Sequence, residues 1–217
     1  MKQPLVVDVV TDIVCPWCYV GVKSFLAARD ALGDEFAILA RFRPYQLNPG
    51  TPQAGVDRHA YYRRKFPDEA KLASARDAIR AYARETGFDF DPSAPVRLPN
   101  TLKAHQLIAL AQNPQQQEAI VLALYRAFWD DLADIGEDET LIGVGKTCGL
   151  SREAVASALA APAPAVAAQA DAYRRAGVTG VPTFIVGERT GFSGGMPPQS
   201  MAAALREAAR RNEGAEP

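Results

Sequence analysis

The sequence has too few cysteines for a disulfide framework and too little charge imbalance for a binder of polyanions. Three cysteines in 217 residues leave no set of bridges to staple a small secreted fold. The two histidines, at 59 and 105, form no metal-rich tract. The 24 basic residues nearly match the 25 acidic ones, giving a net charge of −1. Nucleic acid and anionic membrane surfaces are therefore not expected as partners. No apolar run approaches the roughly 20 residues that span a bilayer. The opening MKQPLVVDVVTD has one lysine and a short apolar run broken by Asp8, unlike the longer core and small-residue cleavage site of a secretory signal. A cytoplasmic protein without a membrane span is the expectation.

What is present reads as an ordinary globular chain. It is 48% hydrophobic and 23% charged, and its length fits one large domain or one domain carrying an insertion. PLVVDVVTD suits a buried strand over about 5–11, followed by a helix that opens near Pro16 and stops at Gly33. FAILARFRPYQL alternates in its second half and reads as a second strand, so the chain begins as a βαβ unit with a parallel pair. From Asn48 the pattern turns helical, with segments near 57–66, 68–86, 101–112, 115–132, 138–148, 151–160 and 163–176. After Gly177 strand character returns in PTFIVG and near 189–193, and a last helix runs from the Pro197–Pro198 pair to about Arg211. The tail NEGAEP is expected to fray. The two ends should build one sheet, from about 1–50 and 177–217, with a helical insertion at about 55–176.

Chemistry concentrates in DIVCPWCYVG, residues 12–21. A pair of cysteines three apart is a redox dithiol, half of a metal site, or two small buried residues. Its place at a strand-to-helix junction matters. There the sulfur of Cys15 faces unpaired N–H groups and the positive end of the helix dipole, which favour a thiolate. Cys18, one turn further in, would be shielded. That asymmetry makes Cys15 the attacking sulfur and Cys18 the resolving one. A structural zinc site needs four ligands, and this chain offers one pair plus Cys148 and the two distant histidines. The second feature is GVTGVPTFIVG, residues 177–187, where Pro182 opens a strand and the Val181–Pro182 bond is a candidate cis peptide.

Taken with NTLKAHQL at 100–107, LYRAFWDDLADIG at 124–136 and FSGGMPP at 192–198, these segments make the chain resemble the DsbA-like branch of the thioredoxin superfamily. The resemblance is strongest to cytosolic FrnE-like oxidoreductases, neighbours of 2-hydroxychromene-2-carboxylate isomerases and kappa-class glutathione transferases. It implies an α/β, thioredoxin-like fold with a large inserted α-helical domain. It also implies that Val181–Pro182 is cis and faces both cysteines, with the Val181 backbone open to a substrate strand. Substrate contacts are then expected from Pro16, Trp17, Val181, Asn100, His105 and Gly194.

The glutathione-using relatives usually carry serine where Cys15 stands, and an acidic residue after the glycine of FSGGMPP. Here both cysteines are present, and Gly195 and Met196 follow Gly194. Both departures favour thiol–disulfide exchange on a disulfide-containing protein or a small thiol, with no metal and no organic cofactor. A glutathione-dependent isomerase or transferase, with glutathione as co-substrate, is the alternative. Among weaker candidates, Asp12 reads as a proton acceptor near Cys15 or a backbone ligand, and Asn100 and Thr101 as helix caps. His59 reads as solvated, Cys148 as a buried filler, and Phe128 and Trp129 as helical core.

Overall fold

The computed structural model describes residues 2–213. β1 (Gln3–Thr11) buries Val7 and Val9 completely on one face. Asp8 points the other way, into a bidentate pair with Arg41 (2.7 and 2.9 Å) and a further bond from Arg43. α1 (Pro16–Ala31) follows and leads to β2 (Phe36–Pro44), which runs parallel to β1 in a register that sets Asp8 beside Arg41. β2 is shorter than the expected second strand. Pro44 has no N–H to extend a ladder, and Tyr45 N–H closes the edge on Thr11 O at 3.1 Å.

Seven helices separate β2 from the next strands of this sheet: α2 (Arg58–Lys65), α3 (Glu69–Glu85), α4 (Leu102–Ala109), α5 (Pro114–Trp129), α6 (Asp138–Thr147), α7 (Arg152–Ala160) and α8 (Pro164–Arg175). Within them lies an antiparallel pair, β3 (Val56–Asp57) with β4 (Arg97–Leu98). Strands of two residues have no period to read, and this pair was not expected. α5 stops at Trp129, three residues before the expected end, and Leu132 turns left-handed with φ 54°.

The chain then returns to the sheet as β5 (Thr183–Val186) and β6 (Thr190–Ser193), and closes with α9 (Pro198–Glu213). The strand order is β2-β1-β5-β6, with β5 antiparallel to both neighbours. α1 lies on this sheet through a file of stacked rings, Phe25 on Phe184 (5.6 Å) and Phe184 on Phe192 (5.2 Å). α9 packs beside α1. Of the tail expected to fray, 214–217 fall outside the described residues, whereas Asn212 is tied down. Its amide donates to Val186 O and accepts from Thr190, both at 2.7 Å. No helix among the described residues is long and apolar enough to cross a membrane.

Candidate active site

β1 ends at Thr11 and α1 begins at Pro16, so both cysteines belong to a strand-to-helix junction. Cys15 N–H closes the turn on Asp12 O at 3.1 Å. Cys15 is the last residue before the helix, extended at φ −87° and ψ 115°, and its side chain makes no capping bond. Pro16 takes the first helical position, where its missing N–H costs nothing. The Cys15 sulfur is instead turned toward the Val181 carbonyl, to which its thiol donates at 3.6 Å. Cys18 sits one turn in with no exposed surface, and both are free thiols.

Burial pushes the Cys18 thiol well above its ordinary value, and the neighbouring Cys15 adds to the effect. The Thr11 side chain and the Asp12 main chain partly offset this by hydrogen bonding to Cys18. Thr11 in turn meets the hydroxyl of Tyr125 at 2.5 Å. Tyr125 is fully buried, and that burial raises its hydroxyl in the same way. On the same helix Phe128 and Trp129 read as core from the sequence, but the Tyr125 hydroxyl beneath the dithiol is not singled out there. The available signal was a tyrosine on a buried helical face, which needs a partner for its O–H.

The Val181–Pro182 peptide is cis. Pro182 O accepts Gly194 N–H at 2.9 Å, so Gly194, with φ 104°, braces the proline from the β6 side. Gly195 lies against Trp17: an added Cβ would stand 3.0 Å from the indole and from Trp17 O. Gly21 on α1 makes room for the Pro182 ring, because a Cβ there would meet Pro182 Cγ at 2.6 Å. Gly21→Ala is therefore expected to force Pro182 and α1 apart and to destabilise the fold by about 1–3 kcal/mol. Urea unfolding checks it, and an unchanged midpoint would refute the close fit.

Asp12, His105 and Asn100 lie away from the sulfur-bearing cleft. Asp12 Oδ2 accepts Leu47 N–H at 2.8 Å, which fastens the cysteine turn to the loop after β2. Its Oδ1 is buried without a hydrogen bond, and His105 Nε2 lies 3.6 Å away. The same nitrogen is 3.0 Å from Tyr45 O, a contact that calls for the proton on Nε2. His105 is 2% exposed, packed behind the junction, so the expected substrate contact gives way to a buried structural one. Asn100 bonds Gln46 Nε2, Leu102 N–H and Thr51 O. Its amide thus ties loops to α4, whose preceding residue Thr101 makes no side-chain cap.

The cleft in front of Cys15 has a volume of about 650 Å³, within the range of ligand sites. Pro16, Trp17 and Val181 line it beside Cys15. α2, α3 and the link between them supply the opposite wall, including Arg58, Tyr62 and Phe66. Arg58 is 2% exposed and donates to Pro92 O and Pro95 O, with its guanidinium 4.7 Å from the Tyr62 ring. Nothing local in the sequence distinguishes it from the other basic residues of α2. Cys148 caps the end of α6, where its carbonyl accepts Gln116 Nε2 at 3.0 Å. Trp129 is core, its indole N–H bonded to Ile13 O at 2.9 Å. Among the described residues no three His, Cys, Asp or Glu side chains gather as a metal site.

A family model described as a DSBA-like thioredoxin domain matches residues 6–206. Among solved structures, a probable DsbA oxidoreductase from Streptomyces coelicolor is 28% identical, with a TM-score of 0.84 over 95% of this chain and 90% of its own. A 2-hydroxychromene-2-carboxylate isomerase shares the fold at 16% identity and a TM-score of 0.65, covering 98% of this chain and 100% of its own. The cytosolic disulfide reductase DsbM from Pseudomonas aeruginosa, solved with GSH, does so at 22% identity and 0.60, covering 94% and 99%.

Proposed function

The chain belongs to the DSBA-like thioredoxin domain family, and from that membership we propose that it is a cytoplasmic thiol–disulfide oxidoreductase in which Cys15 attacks and Cys18 resolves. The observation that carries this reading is the asymmetry of the two sulfurs: Cys15 lines the cleft while Cys18 is sealed behind it with its proton held on by burial. The Cys15 thiolate attacks one sulfur of a substrate disulfide, and the electron pair of the S–S bond leaves on the other sulfur. Cys18 then loses its proton and attacks Cys15, releasing the second substrate thiolate. The substrate gains two electrons, and the protein keeps a Cys15–Cys18 disulfide. Run backwards, the same steps oxidise a dithiol. No organic cofactor or metal enters this sequence, and an external thiol or disulfide restores the starting state.

A cytosolic disulfide reductase among the structures that share the fold is in keeping with this reading. So is the bond from the Cys15 thiol to the backbone just before Pro182, where a substrate main chain would lie beside the reacting sulfur. The alternative, glutathione-assisted isomerisation of a small aromatic compound, draws support from the shared isomerase fold and a cleft of adequate volume. Against it stands the second thiol, which isomerisation does not use. Insulin reduction with dithiothreitol as the recycling thiol tests the first reading. Acceleration of chain precipitation is expected. No acceleration, together with turnover of a hydroxychromene carboxylate in the presence of glutathione, would establish the alternative.

A further inference from the structure

The wall of the cleft opposite Cys15 carries an excess of positive charge that the exchange chemistry does not use. Four cations line the cleft, Arg58, Lys65, Lys71 and Arg76, against a single carboxylate, Asp68. Asp68 is already paired, 3.4 Å from Lys71. Among the described residues Arg58, Lys65 and Arg76 form no salt bridge. Arg58 donates to the Pro92 and Pro95 carbonyls and lies against the Tyr62 ring, its Nε is buried without a hydrogen bond, and burial lowers its affinity for the proton. Lys65 rests on the Tyr61 and Phe66 rings and reaches only the Asn48 amide oxygen. The whole of α2, RHAYYRRK, contains no acid. Between the charges the wall is apolar: Phe66 stays 42% exposed, with Leu72 and Ile79 beyond it and Trp17 facing.

The spacing of these charges speaks to the kind of occupant. Arg58 and Lys65 are the two ends of α2, about 10 Å apart along its axis at 1.5 Å per residue. Arg76 lies further on, in the middle of α3. A compact anion is held by donors that converge on one point. Charges strung along two helices with apolar surface between them match acidic side chains carried on an extended segment, which advances about 3.3 Å per residue.

We infer that this face selects client cysteines flanked by acidic and apolar residues, so that the substrate is an acidic polypeptide segment laid along α2 and α3 with its disulfide at Cys15. This rests on the thiol–disulfide reading above. It gives that reading a substrate class, by electrostatic complementarity that raises capture rate and fixes orientation.

The test uses the reduced protein in single turnover with three probes. Two are eight-residue peptides with one cysteine in mixed disulfide with 2-mercaptoethanol, flanked by Glu and Leu in one and by Lys and Leu in the other. The third is bis(2-hydroxyethyl) disulfide, which is uncharged. The expected result at low ionic strength is a rate at least about 10-fold higher for the acidic peptide than for the basic one, shrinking toward equality in 0.5 M salt. In Lys65→Glu/Arg76→Glu the ratio of the two peptide rates should fall to 1 or invert. Because the ratio is taken within one preparation, a partly unfolded variant does not mimic this change. Equal peptide rates, with the uncharged disulfide reacting, would overturn the charge selection alone. If none of the three probes reacts, the oxidoreductase reading itself fails.

Discussion

Cys15→Ser should lower insulin reduction by at least about 10³-fold, equivalent to roughly 4 kcal/mol of barrier at 1.4 kcal/mol per decade. A serine hydroxyl does not displace a sulfur from a disulfide at neutral pH, and Cys18 is badly placed to substitute. It has no exposed surface, and burial holds its proton on. The fold should not suffer. Residue 15 is the N-cap of α1 and its present side chain makes no capping bond, whereas serine is among the preferred N-caps. The variant is therefore expected to unfold at the same temperature as the parent or slightly above it. That combination, lost exchange with retained stability, separates chemistry from folding. Cys148→Ser serves as the control and should keep wild-type rates, since residue 148 belongs to the end of α6 and bonds Gln116. Wild-type activity in Cys15→Ser, or its collapse in Cys148→Ser, would require a different nucleophile.

The parts of this site that local sequence exposes are the parts that local geometry controls. A strand, two cysteines with Pro16 between them and a helix state the junction outright, and a glycine-rich turn before Pro182 marks the facing loop. α1 and β1 were legible because their apolar periods are long enough to count. The supports were hidden, because each is a tertiary contact between residues far apart in the chain. Thr11 meets Tyr125 across 114 positions, and Asp12 lies near His105 across 93. Nothing near His105 announces that it will face a buried carboxylate and the Tyr45 carbonyl; its place on a helix leaves cleft, surface and core equally open, and only the resemblance pointed to the cleft. Arg58 was missed for a related reason. Four of the eight residues of α2 are basic, and only the packing of Pro92 and Pro95 over the first of them distinguishes a buried guanidinium from its solvated neighbours.

Cys18→Ala should convert a transient intermediate into a product that accumulates. Once Cys15 has joined a substrate sulfur, resolution in the parent protein is intramolecular, with Cys18 one helical turn away and a backbone bond from Cys18 N–H to Cys15 O at 3.0 Å fixing the turn. Oriented intramolecular attack reaches effective molarities of about 10⁵ M or more in favourable systems. Its loss should lengthen the life of the mixed disulfide by at least about 10³-fold, leaving only external thiol to break it. The substitution itself is mild, replacing a small buried residue by a smaller one, at about 1 kcal/mol. A defined mixture of insulin and oxidised glutathione, at equal disulfide concentration, then asks which partner is held. Mass spectrometry of non-reduced protein is expected to find insulin chains on Cys15 in excess of glutathione. Main chain can lie beside Val181 while flanking side chains fill the cleft wall. Adducts of glutathione alone would favour the small-thiol alternative. No adduct of either kind, with Cys15 still free, would remove Cys15 from the role of attacking sulfur.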